Sequence, residues 1–323
     1  MITQFRVWTR LQRFELVAAA FIAGVLAVSA VLVRARLDAA GVTPDCWDAW
    51  FSSGGIGVGA CEGPVQAFLG INEEEAGKIM ASMALLPLAI GVFLGVPVVA
   101  REIEGGTAPA IWALARSRSR WLARRLVPPV VVAVGLLTAL AVGSEVLWNG
   151  REPWEPALRF GDVGLHGPVI VAKGLAAMGL AVLAGAVIGR TLPAVIVTAV
   201  LAVALFLGAG IAQGTWLLSE SQRHAVELDS NKQDIEQFPG GTFFHQSWRT
   251  ADGRVLDDQA AVALVPTGVD PWTWMNDHMT PLLNGVPGTE YPTWQRLETG
   301  GFALVGLAGF LGSFVVVMRR RPL

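Results

Sequence analysis

The chain has 323 residues, of which 53% are hydrophobic and only 15% are charged, with a mean hydropathy of +0.51. A soluble domain carries about a quarter charged residues, so this composition excludes a large soluble core and indicates a polytopic membrane protein. The net charge of −2 gives no global field for nucleic acid, and the signs are instead sorted loop by loop. Lysine occurs only at Lys78, Lys173 and Lys232. The arginine-, alanine-, glycine- and valine-rich remainder has the composition of a GC-rich bacterial genome, which places the chain in a bacterial cytoplasmic membrane.

Residues 1–15 alternate Phe5, Trp8 and Leu11 with Arg6, Arg10 and Arg13. Helical spacing puts rings on one side and cations on the other, as in an amphipathic helix lying in the inner membrane surface; a solvated cationic leader is the alternative. Six apolar segments, near 16–33, 79–100, 126–148, 166–189, 193–213 and 299–318, are long enough to span the membrane as helices. Val28-Ser29-Ala30 resembles a signal cleavage site, but the apolar run continues to Val33 behind a long charged leader, as a retained anchor does.

The loop 34–78 holds both cysteines, Cys46 and Cys61. In an oxidising compartment they would close a disulfide that stabilises the loop by about 3 kcal/mol; otherwise they are two free thiols. Asn72-Glu73-Glu74-Glu75 reads as an N-cap with acids in the first turn and Glu75 placed for a capping box, starting the second helix outside the bilayer. Pro87 and Pro97 interrupt that helix.

The cytosolic segment 101–125 is the densest in charge. Glu102 and Glu104, two apart, diverge on a helix and make no acid–base pair. Gly105-Gly106 breaks the helix, Thr107 is placed to cap the next one, and Pro109 is tolerated in its first turn. Ile111, Trp112, Leu114 and Ala115, followed by Arg116, Arg118 and Arg120, make an element that can lie on the inner surface and offer one face to a partner. An ordinary positive-inside loop is the competing account.

Pro128-Pro129 suits the first turn of the third span. Glu145 and Lys173 fall within the bilayer region, where an ionisable side chain marks a possible polar site, although both are close enough to the surface to snorkel. They could pair if the third and fourth helices adjoin. Gly91 with Gly95, Gly185 with Gly189, and Gly210 with Gly214 have the four-residue spacing that lets membrane helices approach closely, within the chain or across a dimer.

Loop 149–165 is short and interrupted by prolines, whereas 214–298 is long enough for a small extracellular domain. Thr242 to Trp248 alternates like a strand, Asp252-Gly253 signals a hairpin turn, and Asp257 to Leu264 suits a short helix. Trp216, Trp248, Trp272, Trp274 and Trp294 would divide between the membrane interface and a small core. His166, His224, His245 and His278 have no metal-ligand spacing; Asp277-His278 near His245 is read as scattered surface residues and no metal is expected. Gly77-Lys78 and Gly55 to Ala60 only mimic nucleotide-binding loops, so the chain is not expected to bind ATP itself.

Arg6, Arg10, Arg13, Arg101, Arg116, Arg118, Arg120, Arg124, Arg125, Arg190 and Arg319 to Arg321 all fall on one side if the N-terminus is cytosolic. That is the positive-inside pattern, with both termini in the cytosol. The fold expected is therefore an all-α membrane protein of six transmembrane helices in 16–213 and 299–323, with a small extracellular domain between the fifth and sixth.

Glu102, Glu104, Gly106 and Thr107, forming E-x-E-x-G-T directly after the second span, resemble the permease subunits of type-2 ABC exporters. Ser117-Arg118 and Arg124-Arg125 also match the family's run before its third helix, while the usual proline before the serine is replaced by Ala115 or Arg116. The resemblance extends to the six-helix layout. It implies a permease that works as a dimer with a second copy or a paralogue, surrounded by lipid, and coupled to separate ATP-binding cassette subunits that hold ATP and magnesium. It further implies that Glu102, Glu104, Gly105, Gly106, Thr107, Ser117 and Arg118 belong to the coupling element, and that helices one, two and five line a path for a hydrophobic or amphipathic compound such as a drug, lipid or peptide. No catalytic residue is expected in this chain. The alternatives are a secondary transporter or channel using Lys173 and Glu145, and a membrane-anchored binding or sensing protein; the first lacks an inverted repeat and a mid-membrane acid.

Overall fold

The protein was examined as a computed structural model, which describes residues 13–53, 59–114, 117–151, 164–228, 237–238 and 241–320. The amphipathic leader, the glycine-rich stretch 54–58, and Ala115 and Arg116 lie outside the described residues. Six helical stretches are long and apolar enough to cross a membrane: Leu16–Ala39, Gly59–Glu104, Arg118–Arg151, Pro168–Ile188, Thr191–Arg223 and Gly288–Arg319. The chain divides into two compact bodies, one built from 1–154, 164–206 and 295–323, the other from 155–163 and 207–294.

The first body is all helical. Helix α1 (Arg13–Ala39) is apolar around most of its circumference. It buries Ala23, Ala30, Val33 and Leu37 while leaving Val17, Phe21, Val25, Val28 and Leu32 exposed. Helix α2 (Pro44–Ser52) follows, and a disulfide links its Cys46 to Cys61 with a Cα–Cα distance of 5.3 Å. Trp47 meets Phe68 edge-on with ring centroids 5.9 Å apart, giving this linked loop an aromatic core.

Helix α3 (Glu62–Gly70) runs through a π-helical stretch, Ile71–Ala76, directly into α4 (Gly77–Gly95). The N-cap expected at Asn72 is absent because the helix does not begin there. Asn72 is buried inside the π stretch, where its Oδ1 accepts from Arg151 Nε at 2.7 Å. Glu75 pairs with Arg36 on α1 instead of closing a capping box. Glu75, one of the acids that resemble a helix start, thus serves a long-range contact, and the helix continues through the π turn.

Pro97 opens helix α5 (Pro97–Glu104) after a one-residue break at Val96. After α6 (Ala108–Leu114), helix α7 (Arg118–Arg151) accommodates Pro128 and Pro129, which lie in its third turn and not in its first as expected. The helix begins earlier than its apolar run because charged residues 118–125 are helical too.

Helix α8 (Pro168–Ile188) is the centre of this body. A Cβ at Gly91 would lie 2.5 Å from the Gly174 carbonyl oxygen, and one at Gly95 would lie 2.7 Å from Ala181 Cβ. The opposite flank of α8 is equally tight, since a Cβ at Gly179 would lie 2.3 Å from the Gly306 carbonyl oxygen. Small residues thus bring three backbones into direct contact. Gly185 approaches Val96, while Gly189 does different work, ending α8 in the left-handed conformation at φ 69°. A Cβ at Gly210 or Gly214 would meet nothing within 4 Å beyond its own helix among the described residues.

The second body carries a sheet within an otherwise helical protein. Helix α9 (Thr191–Arg223) leads to β1 (Val226–Glu227), β2 (Thr242–Arg249), β3 (Val255–Asp257), α10 (Asp258–Val262), α11 (Pro271–His278) and β4 (Thr280–Val286). The antiparallel sheet has the order β1-β4-β2-β3. Gly253, at φ 86°, turns the β2–β3 hairpin. Asp257 caps α10 by accepting from Ala260 N at 2.7 Å, and Asp270 caps α11 by accepting from Thr273 N at 2.9 Å.

Two aromatic clusters hold this body. Trp248 is fully buried with Ala261, Met275 and Met279, and its indole N–H donates to Asp258 at 2.7 Å. Trp216 and Trp294, 5.3 Å apart, pack with Leu217, Val286 and Tyr291. A turn of 3-10 helix, Gly288–Glu290, then leads into α12 (Tyr291–Arg319).

Candidate functional site

The site is built on the turn between α5 and α6, where Gly106 adopts φ 67°. This left-handed conformation favours glycine and lets the chain reverse within two residues. Glu102, on α5, receives both Thr107 Oγ1 from across the turn and the Arg125 guanidinium of α7. The Glu102 carbonyl accepts from Thr107 N at 3.1 Å. Thr107 precedes α6, where its carbonyl accepts from Ile111 N at 3.1 Å, while its hydroxyl donates back to Glu102 and closes the turn onto the helix before it. Arg125 adds a second bond from Nε to the Val98 carbonyl at 3.2 Å, so one guanidinium ties α7 to α5 at two points.

Glu104 points elsewhere. Its Oε2 accepts from Thr191 N at 3.0 Å and from Thr191 Oγ1 at 2.6 Å. Thr191 opens α9, so Glu104 caps that helix from outside and places a carboxylate at the positive end of its dipole. The two glutamates diverge, as two-residue helical spacing requires, and each divergent direction ends on a different helix. The fixed turn therefore joins α7 on one side and α9 on the other.

The same end of the helical body carries a second set of ties. Ser117 Oγ accepts from Arg120 N at 3.3 Å, capping α7. The Arg118 guanidinium lies 5.1 Å from the centre of the Trp112 ring and donates to the carbonyl of Arg320. Arg320 in turn donates to the carbonyls of Ala186 and Val187 at the end of α8. Trp112 is buried against Trp121, with ring centroids 6.0 Å apart edge-on, and helps hold α6 to the bundle. The expected residues Glu102, Glu104, Gly105, Gly106, Thr107, Ser117 and Arg118 are thus gathered at one end of the bundle, with Arg125, Thr191 and Arg320 added. Thr191 has a sequence signal that went unused: it follows Gly189-Arg190 at the start of an apolar run, where an N-cap is expected.

The residues 16–212 match the family described as ABC-2 membrane transporter related. The chain belongs to that family. It is the permease component of an ABC transporter, a transport subunit and not an enzyme, and the family implies an ATPase partner. Searches of curated proteins and of solved structures find no match. Most of the second body and all of α12 lie beyond the matched residues.

Elsewhere in the permease, the suggested Lys173–Glu145 pair does not form. Lys173 Nζ lies 2.8 Å from Glu298 on α12, donates to the Gly164 carbonyl at 2.9 Å, and faces the rings of Phe206 and Phe302. Glu145 instead meets His166 Nδ1 at 3.0 Å, and that imidazole stacks on Trp148 at 4.3 Å. The two groups serve separate contacts because α8 presents Lys173 toward α12, away from Glu145 on α7. His278 stacks on Trp274 and bonds to its carbonyl at 2.8 Å, so it belongs to its own helix, α11.

Proposed function

We propose that the permease works as a dimer in the bacterial cytoplasmic membrane and that the α5–α6 turn is its coupling element, docked on a separate ATP-binding cassette subunit. Both termini lie in the cytosol in this reading, and ATP and magnesium are held by the partner. The observation that carries it is the division of labour at the turn: Glu102 holds α7 through Arg125, and Glu104 holds α9 through Thr191. A push from the ATPase on the turn then reaches two membrane helices at once. The exposed apolar faces of α1 and α9 support a second copy, or a paralogue, across a lipid-filled or substrate-filled seam, since Val25, Leu32, Ile196 and Leu207 stay exposed among the described residues. A hydrophobic or amphipathic compound suits walls of this kind.

The test is the Glu102→Ala, Glu104→Ala double variant, co-expressed with the ATPase. Membrane insertion should be retained while substrate-stimulated ATP hydrolysis falls at least about tenfold, the loss of one well-placed ion pair. Unchanged stimulation together with unchanged co-purification would reject the coupling assignment.

A further inference from the structure

The region where the chain enters and leaves the second body carries a group of side chains that the transport reading does not use. Glu220 and His224 stand one helical turn apart near the end of α9, and Glu290 closes the 3-10 turn before α12. One ligand atom from each lies within 4.8 Å of the other two, the only such trio among the described residues. We propose that Glu220, His224 and Glu290 form a zinc site.

The distances suit one ion. His224 Nε2 is 3.4 Å from Glu220 Oε1. Two ligands bonded to zinc at about 2.0–2.2 Å with tetrahedral angles stand about 3.4 Å apart. The spacing of four residues lets both side chains reach over the same turn of helix. The second Glu220 oxygen accepts from Arg223 Nη1 at 2.9 Å, which orients the carboxylate and leaves Oε1 toward the imidazole. Glu290 is held by its own turn, with its N–H bonded to the Pro287 carbonyl at 3.0 Å.

The surroundings are those of a built site. The Glu220 side chain is only 11% exposed and that of His224 35%. Trp216, Leu217, Val286, Tyr291 and Trp294 form an apolar cluster beside the trio, drawn from the same two chain segments and β4. Arg223 offsets one of the two carboxylate charges, and a bound cation would neutralise both carboxylates and the imidazole lone pair together. An imidazole with two carboxylates favours zinc over calcium or magnesium, which take oxygen ligands in greater number. Three protein ligands leave a fourth position for water. Zinc there would bridge the end of α9 to the turn before α12. The two glutamates are 70 positions apart in the chain, so no spacing motif reveals the trio.

The experiment uses the full chain purified in detergent, with any polyhistidine tag removed and bound metal stripped by a chelator. Zinc is added back by equilibrium dialysis, and cobalt substitution reports the coordination number by its visible absorption. The expected result is one zinc per chain, strong four-coordinate cobalt bands, and a higher unfolding temperature with zinc. His224→Ala and Glu290→Gln should each weaken zinc at least about tenfold and abolish the temperature rise, while His278→Ala behaves as the unaltered protein. Zinc-free unfolding temperatures of the two variants, equal to that of the stripped protein, establish that the fold is intact. Substoichiometric zinc, binding indifferent to both substitutions, or calcium bound in preference to zinc would each overturn the assignment.

Discussion

Helices α4 and α9 carry the same four-residue glycine spacing, and the two pairs meet opposite surroundings. Gly91 and Gly95 press on the backbone of α8, whereas a Cβ at Gly210 or Gly214 would meet nothing within 4 Å beyond its own helix among the described residues. The difference extends to whole helices: 72% of the apolar window of α8 is buried, against 17% for that of α1 and for that of α9. Helix α8 is thus closely packed, while α1 and α9 are largely uncovered among the described residues. Lipid is as apolar as leucine, so burial of hydrophobic surface cannot drive helices together in a bilayer; close backbone approach and polar ties must do it. Glycine supplies the first around α8, and the ion pairs at the two ends of the bundle supply the second.

The largest effect is expected at Gly91. Gly91→Leu puts a branched side chain where the Gly174 carbonyl stands 2.5 Å from a bare Cβ. Forcing α4 from α8 should cost about 3 kcal/mol or more and remove the monodisperse peak in detergent. Gly210→Leu, the same chemical change on the open face, should leave both the elution profile and the unfolding temperature unchanged.

A somewhat smaller effect is expected at Lys173. Lys173→Met strands the Glu298 carboxylate, whose side chain is 8% exposed, and should destabilise the permease by about 3 kcal/mol. Adding Glu298→Leu should recover most of that loss in a thermal unfolding series, since replacing both partners leaves no buried charge. If the double variant were no more stable than the single, the pair would not be the tie between α8 and α12.

The smallest effect concerns the second body. The Thr273 backbone N–H, then its hydroxyl, holds the Asp270 carboxyl below the ordinary aspartate range. Its folded pKa is depressed, so its contribution is present above the unfolded value and is lost as pH falls through the folded one. Asp270→Ala should lower the stability of this body at neutral pH, and the gap from the unaltered protein should close on acidification. Tryptophan fluorescence against denaturant at a series of pH values measures it; a gap independent of pH would show that the cap does not depend on the charge.

Some of these features are legible in the chain and others are not, each for a physical reason. The six spans were legible because a helix must satisfy its own backbone in lipid, which leaves a long apolar run as its trace. The strand at Thr242, the Gly253 hairpin and the helix near Asp257 were legible because alternation and turn chemistry are local. Asn72 was misread because a capping signature is also a string of polar residues, and here a π turn carries the helix through it. The position of Thr107 before α6 is legible, but the partner of its hydroxyl is not, since a hydroxyl at a turn can serve either neighbouring helix. Lys173 was recognised as a costly intramembrane charge, but its partner, Glu298, lies 125 positions away and no periodicity connects them.

Which segments cross the membrane, where positive charge collects and why Glu102 and Glu104 cannot act as a pair follow from apolar length, side-chain charge and helical pitch. Which helix each glutamate grips, which glycines lie at a backbone contact and which face outward, and the convergence of Glu220, His224 and Glu290 emerge only on folding. Those outcomes depend on distances between residues far apart in the chain, and such distances are set by how the helices and the sheet pack, not by any local preference.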